Sequence, residues 1–239
     1  MERTLKTLII VPAFNEEENI ADVLADLEAF ASSCDVIVID DGSKDGTADI
    51  VGRRGVSILC LPFNLGIGGA MQAGYKYARD NGYDLAVQFD GDGQHRADQL
   101  GILLDGLVTA RVDMLVGSRF TAEGSYAQGT ARMIGGRILS LVLSTLTGWQ
   151  ITDPTSGFRI AGPQAIRFFA EEYPDDYPEP EVILLLKKVG MNCKEVPALM
   201  SPRAGGRSSI TPIRSVYYMV KVILALMIDL VRAVGYRKK

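Results

Sequence analysis

A chain of 239 residues that is 47% hydrophobic can bury a sizeable core, which excludes a disordered chain and suits one large α/β domain or two lobes sharing a sheet. Its net charge of −4 excludes a protein that is basic throughout. Cys34, Cys60 and Cys193 are odd in number, widely spaced and without a CxxC pair, which excludes a disulfide framework and a zinc site.

Met1-Glu2-Arg3-Thr4 runs straight into the apolar Leu8-Ile9-Ile10-Val11, so no secretory leader is expected and the catalytic part is expected to face the cytosol. Thr7–Val11 predicts a first strand and Glu16–Phe30 a helix. Asn15-Glu-Glu-Glu18 fits a capping box with Asn15 as N-cap, so part of this motif has a purely helix-starting reading. A second strand, Val36–Ile39, ends in Asp40-Asp41-Gly42-Ser43. These are turn residues, yet two adjacent carboxylates at a buried strand's end exceed what a turn needs and offer acceptors to a ribose or a base edge. Thr47–Arg53 reads as a helix and Val56–Leu61 as a third strand. Gly66-Ile-Gly68-Gly-Ala-Met71 fails as a dinucleotide fingerprint, because Met71 stands where the third glycine belongs. Its glycines are expected to let the helix Gly68–Asp80 start close to the sheet, near a ligand's phosphates.

Leu85–Phe89, the fourth strand, runs into Asp90-Gly91-Asp92-Gly93-Gln94. Two carboxylates around a glycine at the mouth of a buried strand repel each other and call for a counter-charge, most simply a divalent cation carrying a phosphate. Beside such hard oxygen ligands the sole histidine, His95, reads as structural. A helix, Ala97–Val108, and a fifth strand, Met114–Gly117, complete a βα alternation. The strands have few polar positions, as burial on both faces of a mostly parallel sheet requires. Three of them end in polar motifs, which therefore share the sheet edge where ligands bind. Beyond Phe120 come a Gly- and Ser-containing loop, a helix at Arg132–Leu146, the segment Thr152-Asp-Pro-Thr-Ser-Gly-Phe-Arg159 and the Pro-rich Tyr173–Pro180. Among the arginines Arg119, Arg132, Arg137, Arg159, Arg203 and Arg207, those in Gly/Ser/Pro-rich segments are the better placed to grip phosphates bidentately.

Charge is unevenly distributed. From Arg203 to Lys239 eight Lys or Arg face one acid, Asp229, a local +7, whereas residues 1–202 hold seventeen bases against twenty-eight acids, a local −11. The apolar run Val216–Val231 is interrupted by Lys221 and Asp229, too short for the roughly 20 apolar residues of a membrane span. At about 100° per residue Arg214, Lys221 and Arg232 fall within roughly 20° of one another, a basic stripe on an apolar helix. That pattern fits a helix lying in an anionic membrane surface rather than a nucleic-acid site, or one packed on its own domain or on a second copy in a homo-oligomer.

Taken in order, VPAFNEEENI, VIDDGSKDGT, NLGIGGAMQAGYKYA, QFDGDGQH, SRF and DPTSGFR resemble a family 2 glycosyltransferase of the GT-A fold, of the dolichol-phosphate mannose synthase and bacterial polyprenyl-phosphate type, over residues 5 to 210. The resemblance implies a Rossmann-like α/β fold with a mostly parallel sheet, a nucleotide-sugar half at 1–120, an acceptor half at 121–210 and a C-terminal amphipathic helix at 211–239. It implies that Pro12, Ala13, Phe14, Asn15 and Glu16 with Asp40 and Asp41 hold the nucleoside of a UDP- or GDP-sugar. Asp90 would lie near ribose and phosphate, and Asp90, Asp92 and Gln94 would serve Mg2+ or Mn2+. Arg119, Arg203 and Arg207 would meet phosphates, and Asp153, with Glu181 second, would face the acceptor. The implied activity is inverting transfer to a polyprenyl phosphate at the inner face of the cell membrane. Transfer to a saccharide hydroxyl in cell-wall or capsule synthesis, and a silent nucleotide-sugar-binding module, are the rival readings. A sugar-nucleotide pyrophosphorylase is disfavoured, because its Gly-rich phosphate loop belongs after the first strand, where this chain has Pro-Ala-Phe-Asn-Glu.

Overall fold

The structure, a computed structural model, describes residues 5–30, 33–120, 130–201 and 212–231. Among these residues seven strands form one sheet: β1 (Thr7–Ala13), β2 (Cys34–Asp40), β3 (Ser57–Cys60), β4 (Leu85–Gln88), β5 (Met114–Ser118), β6 (Arg159–Ala161) and β7 (Cys193–Pro197). Their order is β3-β2-β1-β4-β6-β5-β7. The pairs β1–β2, β2–β3, β1–β4 and β5–β7 are parallel, while β6 runs antiparallel to both β4 and β5. The chain thus winds outward from β1 through β2 to β3 and then returns to place β4 on the other side of β1. Such a reversal opens a crevice at the carboxyl ends of β1 and β4.

Among the described residues eight α-helices pack around the sheet: α1 (Ile20–Leu27), α2 (Thr47–Arg53), α3 (Gly66–Asp80), α4 (Leu100–Ala110), α5 (Thr130–Thr147), α6 (Pro163–Glu171), α7 (Pro178–Lys188) and α8 (Pro212–Val231). Strand side chains alternate between two cores. Ile9 and Val11 meet α1, α2 and α4, whereas Leu8 and Ile10 meet the face covered by α3, α5, α6, α7 and α8. Each fully buried Leu, Ile, Val or Phe contributes roughly 1.5–3 kcal/mol relative to exposure. The expected burial on both faces holds for β1, β4 and β5; β3, at the sheet's edge, is largely exposed.

Several local expectations are corrected. The first helix begins at Ile20 rather than Glu16, and its cap position is Asn19. Asn15 adopts φ 53, its side-chain oxygen accepts the Lys44 N–H at 2.8 Å, and its own N–H donates to Ser43 Oγ at 2.9 Å. It ties the end of β1 to the 41–46 loop instead of capping a helix. Helix α3 begins at Gly66, and a Cβ on Gly68 would run into the backbone of Pro174 and Asp175, so that glycine admits the 174–175 segment rather than the sheet. The Pro-rich stretch ends inside a helix, since Pro178 occupies the first turn of α7, where its missing N–H costs nothing. Residues beyond 120 add β6 and β7 to the same sheet, so the two expected halves share it. Helix α8 buries Val222 and Leu226 with residues of α5 and α7.

Candidate active site

A cleft of about 480 Å³ lies at the crevice between the ends of β1 and β4. Pro12, Ala13, Phe14 and Glu16 form one wall, Asp41, Asn64, Gly66 and Ile67 another, and Asp90, Gly91 and Asp92 the third. Of the expected nucleoside residues, Asn15 and Asp40 do not line it. Asp40 is buried and accepts the Ser43 N–H at 3.2 Å, shaping the turn. Asp41, also buried, accepts the N–H groups of Leu65 and Gly66 at 2.7 and 2.9 Å. Its charge thereby meets donors at the start of α3, of which the Gly66 N–H also reaches Asn64 Oδ1 at 3.1 Å, in the favourable direction of the helix dipole.

Asp90 is held from several sides. Gln88, buried on β4, donates Nε2 to Oδ1 at 3.0 Å. His95 Nδ1 accepts the Asp90 backbone N–H at 2.9 Å, so the neutral ring carries its proton on Nε2, 3.4 Å from Asp90 Oδ2. Burial lowers the His95 pKa against the opposing pull of Asp90 and Asp92, and the ring packs between Phe89 and Phe158 at centroid distances of 5.4 and 4.9 Å. His95 is a support, as its chemistry beside oxygen ligands implied. A Cβ on Gly157 would lie 2.5 Å from Asp90 Oδ2, so the DPTSGFR segment reaches the carboxylate only because residue 157 is glycine. Asp92 Oδ1 accepts the Gln94 N–H at 3.1 Å; Gln94 is half-buried beside the cleft, and its carbonyl accepts the Ser201 N–H at 2.9 Å. Among the described residues no three His, Cys, Asp or Glu side chains gather closely enough to hold a metal by themselves.

Arg119, one residue past β5, is bound to Asp153. Its Nε and backbone N–H donate to Oδ2 at 2.7 and 3.0 Å, its Nη2 to Oδ1 at 2.6 Å, and Nη2 also reaches Thr155 Oγ1 at 2.8 Å. Burial works against the guanidinium's charge, but the Asp153 bonds outweigh it, with Asp90 and Glu179 adding to them, so the Arg119 pKa lies above its usual value. Asp153 is 0% exposed, and both of its oxygens are engaged by Arg119.

Glu181 lies outside the cleft. It is buried on α7, and its pKa is pushed up to about 7 by burial first and then by Asp229, Asp176, Asp175 and Glu179. Glu179, two residues earlier, is in electrostatic reach of Arg159, Asp90 and Arg119; burial raises its pKa, Arg159 lowers it and Asp90 raises it again. Arg159 is 1% exposed and donates Nε to the Ser156 carbonyl at 2.6 Å, while Nη1 and Nη2 lack a hydrogen-bond partner among the described residues. Sequence reading missed Gln88 beside Asp90, Glu179 near Arg159, and Glu195, whose carboxylate accepts the Thr152 and Asp153 N–H groups, because these contacts form only in the folded sheet. Glu179 had one local signal, an acid in the first turn behind Pro178. Arg203 and Arg207, and the side chain of Arg132, lie outside the described residues; Arg137 is exposed on α5.

The family model described as Glycosyl transferase family 2 matches residues 8–173. The undecaprenyl-phosphate mannosyltransferase of Micrococcus luteus is 35% identical over 161 residues, and the match covers 65% of this chain and 65%, just under two thirds, of that protein. The UDP-N-acetylglucosamine--dolichyl-phosphate N-acetylglucosaminyltransferase of Methanococcus voltae is 29% identical over 209 residues, covering 79% of this chain and 83% of that one. Among solved structures, the glucosyl-3-phosphoglycerate synthase of Mycobacterium tuberculosis, crystallised with Mn2+, UDP and glucosyl-3-phosphoglycerate, superposes with a TM-score of 0.70 at 18% identity, covering 94% of this chain and 79% of that one. That likeness is one of fold, and the expected GT-A architecture is what this chain has.

Proposed function

The chain belongs to glycosyl transferase family 2, and from that membership we propose that it moves a sugar from a UDP- or GDP-sugar to a polyprenyl phosphate, with inversion at C1 and with Mg2+ or Mn2+. The observation that carries this reading is the cleft at the β1/β4 crevice, walled by Asp90 and Asp92, with Arg119 in electrostatic reach. Two carboxylates without a third fit a hard cation that completes its shell with the ligand's phosphate oxygens. Asp90 and Asp92 would hold it, with Gln94 as a further oxygen donor. Such a cation, when bound, supplies Lewis-acid stabilisation of the leaving diphosphate, worth on the order of several kcal/mol. Pro12, Ala13, Phe14 and Glu16 receive the nucleoside. Arg119, clamped by Asp153, offers a fixed positive fork to the departing diphosphate or to the acceptor's phosphate.

A phosphate monoester has a second pKa of roughly 6, so it is largely dianionic at neutral pH and needs no base. The full engagement of Asp153 supports that acceptor class. The rival, a saccharide hydroxyl, is favoured by Glu179, whose raised carboxyl in reach of Asp90 suits a general base. Turnover separates the two. UDP-glucose, UDP-N-acetylglucosamine and GDP-mannose are each presented with Mn2+ and undecaprenyl phosphate to the wild type, Asp92→Asn and Glu179→Gln. Sugar-lipid should form with one donor, fall about 100-fold or more in Asp92→Asn, and persist in Glu179→Gln. Undiminished transfer by Asp92→Asn would remove the cation from the reading; sugar passing only to free saccharides would favour the hydroxyl acceptor.

Among the described residues no helix is long and apolar enough to cross a membrane. Helix α8 leaves Val220, Leu224, Met227, Ile228 and Val231 exposed beside the exposed Lys221. That face supports peripheral docking on an anionic leaflet, each basic residue near the surface adding about 1 kcal/mol. Co-sedimentation with phosphatidylglycerol vesicles should be lost in Leu224→Glu/Ile228→Glu; retention would refute the docking face.

A further inference from the structure

We propose that Glu195, on the edge strand β7, is a positioning residue for the transfer and aims the Arg119 guanidinium through Thr152 and Asp153. The inference rests on the role proposed above for Arg119. Glu195 pairs in register with Val116 of β5 and does not line the cleft. Its carboxylate accepts the Thr152 N–H at 2.9 and 2.8 Å, the Thr152 hydroxyl at 2.5 Å and the Asp153 N–H at 2.9 Å. One side chain therefore fixes two successive peptide planes of the segment whose next group, the Asp153 carboxylate, grips Arg119.

The protons run in one direction. Thr152 gives its hydroxyl proton to Glu195, so in its 2.7 Å contact with Ser118 Oγ the serine must donate. Ser118 Oγ in turn accepts the Phe120 N–H at 3.3 Å. A chain of donors thus leads from Phe120 through Ser118 and Thr152 to Glu195, and a parallel branch leads from Arg119 through Asp153, whose N–H also ends on Glu195. Backbone N–H groups cannot accept, so the amide donations from Thr152 and Asp153 to Glu195 are fixed in direction, and the Ser118–Thr152 link takes its direction from the proton that Thr152 gives to Glu195. A glutamine at 195 would set an NH2 against either the Thr152 hydroxyl or the Asp153 N–H, which reverses the first link or breaks the second. Both flanks of Ser118-Arg119-Phe120 are held by this arrangement, so its loss displaces the guanidinium without touching the cleft. A misplacement of about 1 Å costs on the order of 100-fold in rate.

The test is steady-state kinetics on the full chain with undecaprenyl phosphate and the sugar nucleotide that turns over, for wild type, Glu195→Gln, Arg119→Lys and the double variant. Mn2+-dependent binding of UDP and GDP and thermal melting are followed in parallel. Glu195→Gln should lower kcat roughly 10- to 100-fold, leave nucleotide affinity within about twofold, and add little further loss in the Arg119→Lys background. Should Glu195→Gln fail to fold, Thr152→Val removes the hydroxyl link and should give the same split, with Thr152→Ser restoring kcat. Normal kcat in Glu195→Gln beside a crippled Arg119→Lys would overturn the positioning role alone, and so would fully multiplicative losses in the double variant. Wild-type transfer by Arg119→Lys would overturn the role of Arg119 and this inference with it.

Discussion

Glu181 faces Asp229 across the junction of α7 and α8, and its pKa of about 7 against an ordinary 4.5 makes that junction sensitive to pH. The folded protein holds this proton more tightly than the unfolded chain. The stability it contributes is complete below pH 4.5 and is lost as pH rises through 7. With those two values the cost is about 1 kcal/mol at pH 5 and about 3 kcal/mol at pH 8, an increase of about 2 kcal/mol. Glu181→Gln removes the titration, so the wild type should lose roughly 4–8 °C in Tm relative to the variant between these two pH values, at about 2–4 °C per kcal/mol for a chain of this size. Thermal melting of both proteins across that range measures it. A difference between variant and wild type that stays constant from pH 5 to pH 8 would refute the reasoning. The variant should also retain its kcat, because Glu181 lies outside the cleft; a collapse of kcat would return Glu181 to the catalytic set.

Two further substitutions probe the site's construction. Gly157→Ala places a methyl 2.5 Å from Asp90 Oδ2 and should weaken Mn2+-dependent nucleotide binding by about 10-fold or more with little change in Tm; intact affinity would mean that Asp90 has room to move. Asp41→Ala strips the side-chain acceptor from the Leu65 N–H and leaves the Gly66 N–H with Asn64 Oδ1 alone, and should cost about 1–2 kcal/mol in urea denaturation, a loss that would be absent if the start of α3 were held by other contacts.

Periodicity and turn chemistry made β1 to β5 and the helices between them legible within a few residues, because each is a local pattern ended by a polar motif. The second half was harder for physical reasons. Strand β6 is three residues long and opens with a buried arginine, β7 is Cys-Lys-Glu-Val-Pro, and α7 starts behind a run of prolines. Antiparallel insertion of β6 between β4 and β5 depends on pairing that no local pattern encodes. The Asp90–Asp92 turn and its place at the sheet's edge were readable because both follow from strand direction. The ion pair of Asp153 was not legible because its partner, Arg119, lies 34 residues away. Glu195 and Gln88 look like ordinary strand residues until the sheet brings their partners to them.

Titration calorimetry of UDP and GDP into the protein, with and without Mn2+, measures most directly whether Asp90 and Asp92 hold a cation against the diphosphate. One of the nucleotides should bind at least about 10-fold more tightly with Mn2+, and Asp92→Asn should abolish that gain while leaving the metal-free affinity intact. Equal affinity with and without Mn2+, or a gain that survives Asp92→Asn, would contradict it.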